Sequence, residues 1–310
     1  MENTAIIRTE NTEIERREAS LVEQWHAALA LDVRAGSIAQ ATADTYKRGL
    51  SKFATWGQAN PEHVTDHAVK SWIASLRDAG ISQNAVSVWF AGVRAFFQWA
   101  VSEKHIANDP TQGIKRGKRA GTAKTHKREM LSDDEMMRVL GGDLSKRDRA
   151  LVHLLAYTAT RGIELQRADI EDLRTEGHDL VLYVQGKGRT EKDEKVVIAH
   201  PAAISAIYDY LGERKASKGP LFISGSNRNT GSRISSRALR GIVRGILDNA
   251  GITSRNKTVH SFRHSAITSA IRNGASLQDA QAMARHANVA TTQVYFHHLD
   301  RMKNAAERCI

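Results

Sequence analysis

Residues 260–295 carry a tyrosine, two histidines and an arginine at spacings that suit one reaction centre. His260 and Arg263 are three residues apart, and Tyr295 follows His286 by nine residues. On a helix, a separation of three places His260 and Arg263 on one face, which we expect to line a groove or pocket. Fixed Arg and His donors stabilise the negative charge that develops on phosphoryl oxygens under nucleophilic attack. The stretch therefore indicates attack on a phosphodiester, with Tyr295 as the nucleophile.

Three helices are expected to position these side chains. Apolar residues recur at helical spacing through residues 262–271, and Gly274 indicates the end of this first helix. Ser276, with Asp279 three residues later, is typical of a capping box, so a second helix is expected to start there and to deliver His286 at its end. A short turn and a third helix then carry the tyrosine.

Composition and charge narrow the class of protein. The chain has 310 residues and a net charge of +11, which allows two domains with separate cores and favours nucleic acid over the alternative of a basic surface without a specific partner. No apolar run approaches the ~18 residues of a membrane span, and the N-terminus does not read as a signal peptide, so we expect a cytoplasmic, nucleoid-associated protein. The single cysteine, Cys309, excludes an internal disulfide and a cysteine-based metal cluster.

The first 110 residues predict a helical domain behind a flexible N-terminus. Residues 1–12 are polar and unpatterned. Residues 13–110 contain amphipathic segments near 13–31, 42–56, 65–78 and 82–99. Aromatic residues recur on single faces of these segments, which favours a packed core over a platform for stacking exposed bases. We predict a compact domain of about four helices.

A basic segment follows this domain. Residues 111–128 contain seven Lys or Arg residues, no acid and few large apolar side chains. Such a segment cannot form a core and is typical of a linker between domains. Its charges are either solvated or in contact with a phosphate backbone, and we favour the contact. The candidate DNA-binding residues in it are Lys115, Arg116, Lys118 and Arg119.

Residues 129–310 predict a second domain in which helices accompany a small sheet. Helix signals begin near residues 131, 149, 201 and 235, and strand signals fall at 169–173, 180–184 and 195–198. The helix from 235 to 250 carries three arginines along one side, Arg237, Arg240 and Arg244, which are further candidates for DNA contact. The chain as a whole is expected to be mainly α with a small β-sheet (α+β).

The C-terminal motifs, taken together, resemble those of the tyrosine recombinase (phage-type integrase) family. The family signature reads Arg-x-x-Glu-Leu, a lysine on a β-hairpin, His-x-x-Arg, Gly-His, and Tyr nine residues on. The matching residues are Arg161, Lys187, His260, Arg263, His286 and Tyr295. The resemblance spans about residues 20 to 300 and implies a two-domain, Xer-like protein. It would have a helical SAM-like core-binding domain that clamps DNA at 13–110, a basic linker at 111–128 and a tyrosine-recombinase catalytic domain with a C-terminal tail at 129–310.

The resemblance also implies how the phosphate is held. Arg161 and Arg263 would present planar forks to the two non-bridging oxygens of one phosphate. His286 would donate a hydrogen bond to a phosphoryl oxygen. These groups favour the charge-rich transition state without a metal, and we expect no cofactor.

The remaining three residues would carry the chemical step. Tyr295 would attack phosphorus and become a 3′-phosphotyrosyl ester, with His260 as proton acceptor because a free phenol has a pKa of about 10. Lys187 would protonate the departing 5′-oxygen. Because the ester keeps the energy of the broken linkage, rejoining needs no ATP.

Several of these signals also have ordinary structural interpretations. Arg161 and Glu164 could form an ion pair at a helix start. His260 and His264, four residues apart, could bind zinc, although no third ligand is evident. Lys187 could be a solvated turn residue.

The chain departs from the family pattern in three places. The hairpin looks about two residues longer than its common form, so Lys192 and Lys195 are rivals for the role of the acid. The family usually has an apolar residue after its first arginine and a small one before the glutamate, but here the order is Gly162 then Ile163. Arg285 replaces the glycine before the second histidine, and could add a phosphate contact.

The leading hypothesis is a site-specific recombinase that integrates, excises or resolves a mobile element or replicon. It would bind double-stranded DNA with inverted-repeat core sites and act through a Holliday junction as a homo-tetramer, with accessory DNA-bending or directionality proteins as further partners. The tail after Tyr295, with Leu299 and Met302 on one helical face, could dock into a neighbouring protomer. The alternatives are a non-catalytic DNA-binding regulator on the same fold and a type IB topoisomerase-like enzyme.

Overall fold

The computed structural model describes residues 20–57, 63–114, 129–186, 191–226 and 230–303, with the side chains of the last helix described up to residue 296. The chain divides into two compact units, Met1–Ala123 and Lys124–Ile310. Each unit has a hydrophobic core of its own.

The first unit is a bundle of helices around an aromatic core. Its helices are α1 (Leu21–Arg34), α2 (Gln40–Ala54), α3 (Asp66–Asp78) and α4 (Gln83–Ser102). The hydroxyls of Ser20, Thr65 and Ser82 accept backbone N–H groups at the starts of α1, α3 and α4, which satisfies donors that a helix start leaves open. Trp25 and Trp72 are fully buried, which confirms that the aromatic residues form the core.

Helices α2 and α4 pack closely because each has a glycine at their contact. A Cβ atom on Gly49 would lie 2.3 Å from the carbonyl oxygen of Trp89, and one on Gly92 would lie 2.3 Å from that of Tyr46. Any larger residue would push the two backbones apart. The glycines therefore set the distance between these helices.

The first residues of the predicted linker pack on this core. Thr111 and Ile114 are buried, and Arg94 donates to their carbonyl oxygens at 3.3 and 2.5 Å. The predicted flexible N-terminus at 1–12 and the basic stretch at 115–128 lie outside the described residues. That stretch contains four of the candidate DNA-binding residues, Lys115, Arg116, Lys118 and Arg119.

The second unit packs helices around a small antiparallel sheet. Its elements are α5 (Asp133–Leu140), α6 (Lys146–Thr158), α7 (Gly162–Arg167), β1 (Leu173–Glu176), β2 (Asp179–Val184), β3 (Glu194–Ile198), α8 (Pro201–Arg214), α9 (Ser236–Asn249), α10 (Val259–Arg272), α11 (Leu277–Ala284) and α12 (Ala290–Lys303). The sheet order is β1-β2-β3, and Leu182 lies opposite Leu173 on one side and Val196 on the other. The described residues thus confirm a mainly helical protein with a small sheet.

Helix α6 is the centre of this unit. Its residues from 150 to 156 are buried almost without interruption, so the helix is apolar around its circumference. It packs against α8, α10 and β3. The chain therefore leaves the core at the C-terminal end of α6 and begins α7 a few residues later.

One strand prediction is displaced. Residues 169–173 were expected to be extended, but Ile170–Asp172 forms a single 3₁₀ turn and β1 begins at Leu173. The amide of Asp169 donates to the Asp172 carboxylate at 2.7 Å, which closes the turn. Acidic and apolar residues alternate here as they do in a strand, but the acidic side chain of Asp172 caps a turn instead.

No helix in the described ranges is long and apolar enough to cross a lipid bilayer.

Candidate active site

Helix α10 carries His260 and Arg263, but it does not place them in the same environment. The helix starts with a reciprocal cap, in which Thr258 N donates to Ser261 Oγ at 2.9 Å and Ser261 N donates to Thr258 O at 2.8 Å. His260, in the first turn, is exposed, whereas Arg263 is only 5% exposed. The two side chains therefore share a helix but differ in exposure, and a groove lined by both stays a prediction.

Arg263 is held by backbone carbonyl groups. Its two terminal nitrogens donate to the carbonyl oxygens of Ala159, at the end of α6, and Ala284, at the end of α11. Burial, and then repulsion from Arg161 and Arg285, lower the pKa of Arg263 to about 10, so the guanidinium stays charged at neutral pH. Because these two hydrogen-bond acceptors are neutral, they leave the positive charge of Arg263 available to an incoming anion.

Arg161 lies at the start of α7 and contacts the same loop. Its Nη1 donates to Oε1 of Glu164 at 2.6 Å, so the predicted helix-start ion pair is present. Its Nη2 donates to the carbonyl oxygen of Arg285 at 2.9 Å and to that of Ala284 at 3.4 Å. The carbonyl oxygen of Ala284 therefore accepts hydrogen bonds from both Arg161 and Arg263.

The order Gly162 then Ile163 has a packing explanation. A Cβ atom on Gly162 would lie 3.0 Å from Cγ1 of Val259, in α10, so little room exists for a side chain there. Ile163 points away from the core and is exposed. A larger residue next to Arg161 would therefore require Val259 to shift, which favours a small residue at this position.

Arg285 takes up a conformation that favours glycine. Its φ is 50° and its ψ is 50°, in the left-handed region, where it caps α11. Its side chain is 7% exposed and pairs with Oε2 of Glu164 at 2.6 Å, with a longer contact of 3.7 Å from Nε to Glu194. The guanidinium of Arg285 is therefore paired with a buried carboxylate in this structure, and its contact with a phosphate stays a prediction.

The carboxylate of Glu164 is shared by Arg161 and Arg285. It is 1% exposed, and burial opposes its ionisation, but the charge of Arg285 and the hydrogen bonds and charge of Arg161 hold its pKa below the ordinary value. It is therefore ionised at neutral pH.

His286 follows Arg285, two residues beyond the end of α11. Its Nδ1 is hydrogen-bonded to Oγ1 of Thr292 at 2.9 Å, which leaves Nε2 as the nitrogen that can meet a ligand. Burial, and then the charges of Arg263 and Arg161, lower the pKa of His286 to about 4. The ring is therefore neutral at physiological pH and can act as a hydrogen-bond donor through Nε2 when Nδ1 accepts from the threonine.

Tyr295 lies on α12 and is 8% exposed. Its ring packs in a cluster that includes Ala159 and Ala284, the two residues whose carbonyl oxygens accept from Arg263, and it interacts electrostatically with Arg263. The tyrosine is therefore in the same site as the arginines. The tail side chains Leu299 and Met302 lie outside the described side chains.

The partner of the tyrosine hydroxyl is His264, which was not predicted as a site residue. The hydroxyl is hydrogen-bonded to Nδ1 of His264, and the two rings lie 5.4 Å apart between centroids. The sequence showed His264 only as a possible zinc ligand beside His260. Its position next to Arg263 was the available signal. Among the described residues, no group of three or more His, Cys, Asp or Glu could hold a metal ion.

The lysine assigned as the acid, Lys187, lies outside the described residues. Its two rivals both have carboxylate partners. Lys192 is paired with Asp169 and Asp172 at 2.7 and 2.5 Å, and Lys195 is paired with Glu176 at 2.7 Å. Burial disfavours the charged form of Lys192, but these two carboxylates raise its pKa above the ordinary value, which makes it a poorer proton donor.

The three arginines of α9 fall into two classes. Arg237 and Arg240 are exposed. Arg244 is half-buried, donates to the carbonyl oxygens of Ser254 and Ile252 and pairs with Asp248 at 2.8 Å. Arg244 therefore braces the loop between α9 and α10, whereas the other two can meet a polyanion.

Comparison with known proteins matches both parts of the chain. The Phage integrase family matches residues 130–302, and the Phage integrase, N-terminal SAM-like domain matches residues 22–104. Tyrosine recombinase XerD of Bifidobacterium longum is 29% identical over 283 residues, which cover 84% of this chain and 87% of that protein. Tyrosine recombinase XerC of Mycobacterium tuberculosis is 31% identical over 264 residues, covering 81% and 84%. The fold is similar to that of the XerH site-specific recombinase bound to palindromic difH substrate in a post-cleavage complex, with a TM-score of 0.68, 20% identity and coverage of 85% and 78%.

Proposed function

The chain belongs to the phage integrase family and is a tyrosine-type site-specific recombinase, and on this premise we propose that Tyr295 cleaves DNA through a 3′-phosphotyrosyl intermediate. One observation carries the proposal. A buried tyrosine lies in the same cluster as the carbonyl groups that hold Arg263, and Arg161 donates to one of them. A nucleophile and two cations therefore meet at one place.

Arg161 and Arg263 would bind the two non-bridging oxygens of the scissile phosphate. Both now donate to backbone carbonyl oxygens, including the carbonyl oxygen that they share. A phosphate, being charged, is a stronger acceptor than a carbonyl group and would replace it. His286, neutral and held by Thr292, would add a hydrogen bond to a phosphoryl oxygen. Losing one such donor typically costs about a hundredfold or more in rate.

Bond making and breaking balance without a cofactor. The Tyr295 oxygen forms a bond to phosphorus while the bond from phosphorus to the 5′-oxygen breaks. The phenol proton passes to a histidine, and the 5′-oxygen receives a proton from Lys187. The 5′-hydroxyl of another strand then attacks the phosphotyrosyl ester and gives its proton to Lys187, while the released tyrosine takes its proton back from the histidine. The number of phosphodiester bonds is therefore conserved.

Two histidines can receive the phenol proton. His260 matches the family's acceptor and is exposed, as a residue that meets DNA must be. His264 contacts the hydroxyl in this structure. We assign the acceptor to His260 and the orientation of the hydroxyl to His264.

Lys187 remains our proposed acid. Lys192 and Lys195 have carboxylate partners that hold their protons. Release of a proton from either lysine to the leaving oxygen would have to break those ion pairs.

The assembly and its DNA follow from the same premise. The XerH relative is bound to a palindromic substrate after cleavage, and by analogy we propose that this chain binds double-stranded DNA with inverted-repeat core sites. Four copies would exchange strands in pairs through a Holliday junction, with tail exchange between protomers and accessory DNA-bending or directionality proteins where the site requires them. The substrate would be a mobile element or replicon that the reaction integrates, excises or resolves. We expect this reaction to take place in the cytoplasm, at the nucleoid.

A nicked suicide duplex tests the chemical step. It carries the end of the genetic element that neighbours the gene, and cleavage releases a short fragment so that rejoining cannot occur. We expect a covalent protein–DNA band on a denaturing gel with the wild type and none with Tyr295→Phe. Tyr208→Phe is the matched control, because that tyrosine is exposed on α8, and it should give the wild-type band. An equal band from Tyr295→Phe would assign the nucleophile elsewhere.

The same preparation separates the alternatives. A non-catalytic regulator would retard the duplex on a native gel without a covalent band. A type IB topoisomerase-like enzyme would relax supercoiled plasmid but would not join strands from two labelled duplexes. A recombinase forms the covalent band and yields joined products.

A further inference from the structure

We propose that Arg285 is a positioning residue for strand cleavage, which shares the Glu164 carboxylate with Arg161 and so leaves the charge of Arg161 available to the DNA phosphate. This inference rests on the proposed function. The resemblance to the family gives Arg285 no role, because a glycine usually stands at this position.

The contacts of Glu164 show how the carboxylate is divided. Oε1 accepts from the Arg161 side chain at 2.6 Å. Oε2 accepts from the backbone amide of Arg161 at 2.8 Å and from Nη2 of Arg285 at 2.6 Å. Each oxygen therefore has one guanidinium partner, and Arg285 supplies the second of the two.

The balance of charge explains why a second guanidinium matters. Glu164 with Arg161 alone would be a buried pair with no net charge, and much of the attraction that Arg161 could exert on a phosphate would be cancelled. With Arg285 and Arg263 included, the site contains three guanidinium groups and two carboxylates, because Glu194 also approaches Arg285 at 3.7 Å, and a net positive charge remains. A net positive charge stabilises the negative charge that a phosphodiester develops as the nucleophile adds.

The backbone of Arg285 indicates that its side chain is held in place. A non-glycine residue in the left-handed region is strained, and such a conformation persists where the surroundings compensate for it. Here the compensation comes from the ion pair with Glu164 and from hydrogen bonds of the guanidinium to the carbonyl oxygens of Met283 and Ala159, at 2.9 and 3.4 Å. Glycine would adopt the same backbone without strain, so a glycine variant removes the guanidinium and preserves the turn.

A substrate with an uncharged linkage tests whether Arg285 acts by helping Arg161 to neutralise the charge of the phosphate. In a methylphosphonate, a methyl group replaces one non-bridging oxygen of the scissile phosphate, so the linkage carries no charge. A guanidinium that neutralises this charge is then no longer needed. A variant whose only fault is a weakened Arg161 should therefore cleave the methylphosphonate about as well as the wild type does.

The experiment measures rates of covalent complex formation on phosphate and methylphosphonate suicide duplexes. We expect Arg285→Gly to cleave the phosphate duplex about ten- to a hundredfold more slowly than the wild type, which is no more than the loss of one direct hydrogen-bond donor to the phosphate costs. On the methylphosphonate duplex, its rate should be close to that of the wild type. Lys215→Gly is the matched control, because Lys215 is also a cation at φ 50°, at the end of α8, and is exposed. It should match the wild type on both substrates.

A second variant keeps the test decisive if removal of Arg285 also lowers stability. In the double variant Arg285→Gly with Glu164→Gln, no carboxylate competes for Arg161, so activity on the phosphate should recover relative to Arg285→Gly alone. An equal deficit on both substrates, no recovery in the double variant, or wild-type activity in Arg285→Gly would overturn the inference. If the wild type forms no covalent complex with either duplex, the proposed function itself falls and takes this inference with it.

Discussion

At the scale of single residues, the two histidines of α10 have different surroundings. His264 holds the hydroxyl of Tyr295 inside the protein, and His260 is exposed one turn earlier. A hydrogen-bond partner fixes where the oxygen lies, whereas a proton acceptor changes how fast the proton leaves. The two roles give different responses to pH.

We predict that His260→Ala slows cleavage by about a hundredfold or more near neutral pH. The rate of this variant should recover in part as the pH approaches 10, because a phenol that ionises in solution needs no proton acceptor. His264→Ala should also be slower, but its rate relative to the wild type should not improve with pH. The measurement is the rate of covalent complex formation between pH 7 and 9.5. The opposite pattern, with recovery in His264→Ala alone, would reverse the two assignments.

The sequence predicted the residue types of the site better than their contacts. Helical offsets and a capping box predicted Arg263, His286 and Tyr295 as site residues, whereas Arg161 was predicted only through the resemblance to the family. The sequence did not reveal that Arg285 and Glu164 form a buried pair, because these residues are 121 positions apart and no local pattern joins them.

At the scale of secondary structure elements, caps and glycines explain most of what was predictable. Ser82 and Ser276 mark helix starts that the structure confirms, since a hydroxyl that accepts a backbone N–H is a local feature. The displaced strand at Asp169 shows the limit. Its acids cap a turn and pair with Lys192, which is 23 residues away, so tertiary contacts override the local alternation.

We predict that Gly92→Ala destabilises the protein although alanine is the better helix former. The helix propensity should contribute up to about 1 kcal/mol, while overlap with the Tyr46 carbonyl oxygen costs about 1–3 kcal/mol, so the free energy of unfolding should fall. Gly212→Ala in α8 is the control, because nothing lies within 4 Å of its added Cβ, and it should be neutral or stabilising. Urea unfolding monitored by circular dichroism measures both. A more stable Gly92→Ala protein would contradict the close contact of α2 and α4.

At the scale of the whole molecule, the net charge of +11 is distributed between cations that brace the fold and cations that remain exposed. Arg94 and Arg244 belong to the first group, since each donates to carbonyl oxygens of a loop. Composition alone could not separate the two groups. It favoured a polyanionic partner, which stays a prediction, but it did not indicate which arginines would contact that partner.

We predict that this division appears in the salt dependence of DNA binding. Arg237→Gln and Arg240→Gln should each reduce the slope of log affinity against log salt by about one, because each removes one phosphate contact. Arg244→Gln, in the same helix, should leave the slope unchanged and lower the melting temperature, because it releases the loop carbonyls. Fluorescence anisotropy at several salt concentrations and thermal melting measure the two effects. An unchanged slope in both exposed variants would remove α9 from the proposed interface.

The carbonyl oxygen of Ala284 gives the site one property that no single side chain explains. It accepts from Arg161 and Arg263 together, and the next two residues are Arg285 and His286. A rotation of that one peptide group would remove one hydrogen bond from each guanidinium group and move the histidine in the same event. Competence for cleavage should therefore be gained or lost as an all-or-none state, and intermediate, half-assembled centres should be scarce.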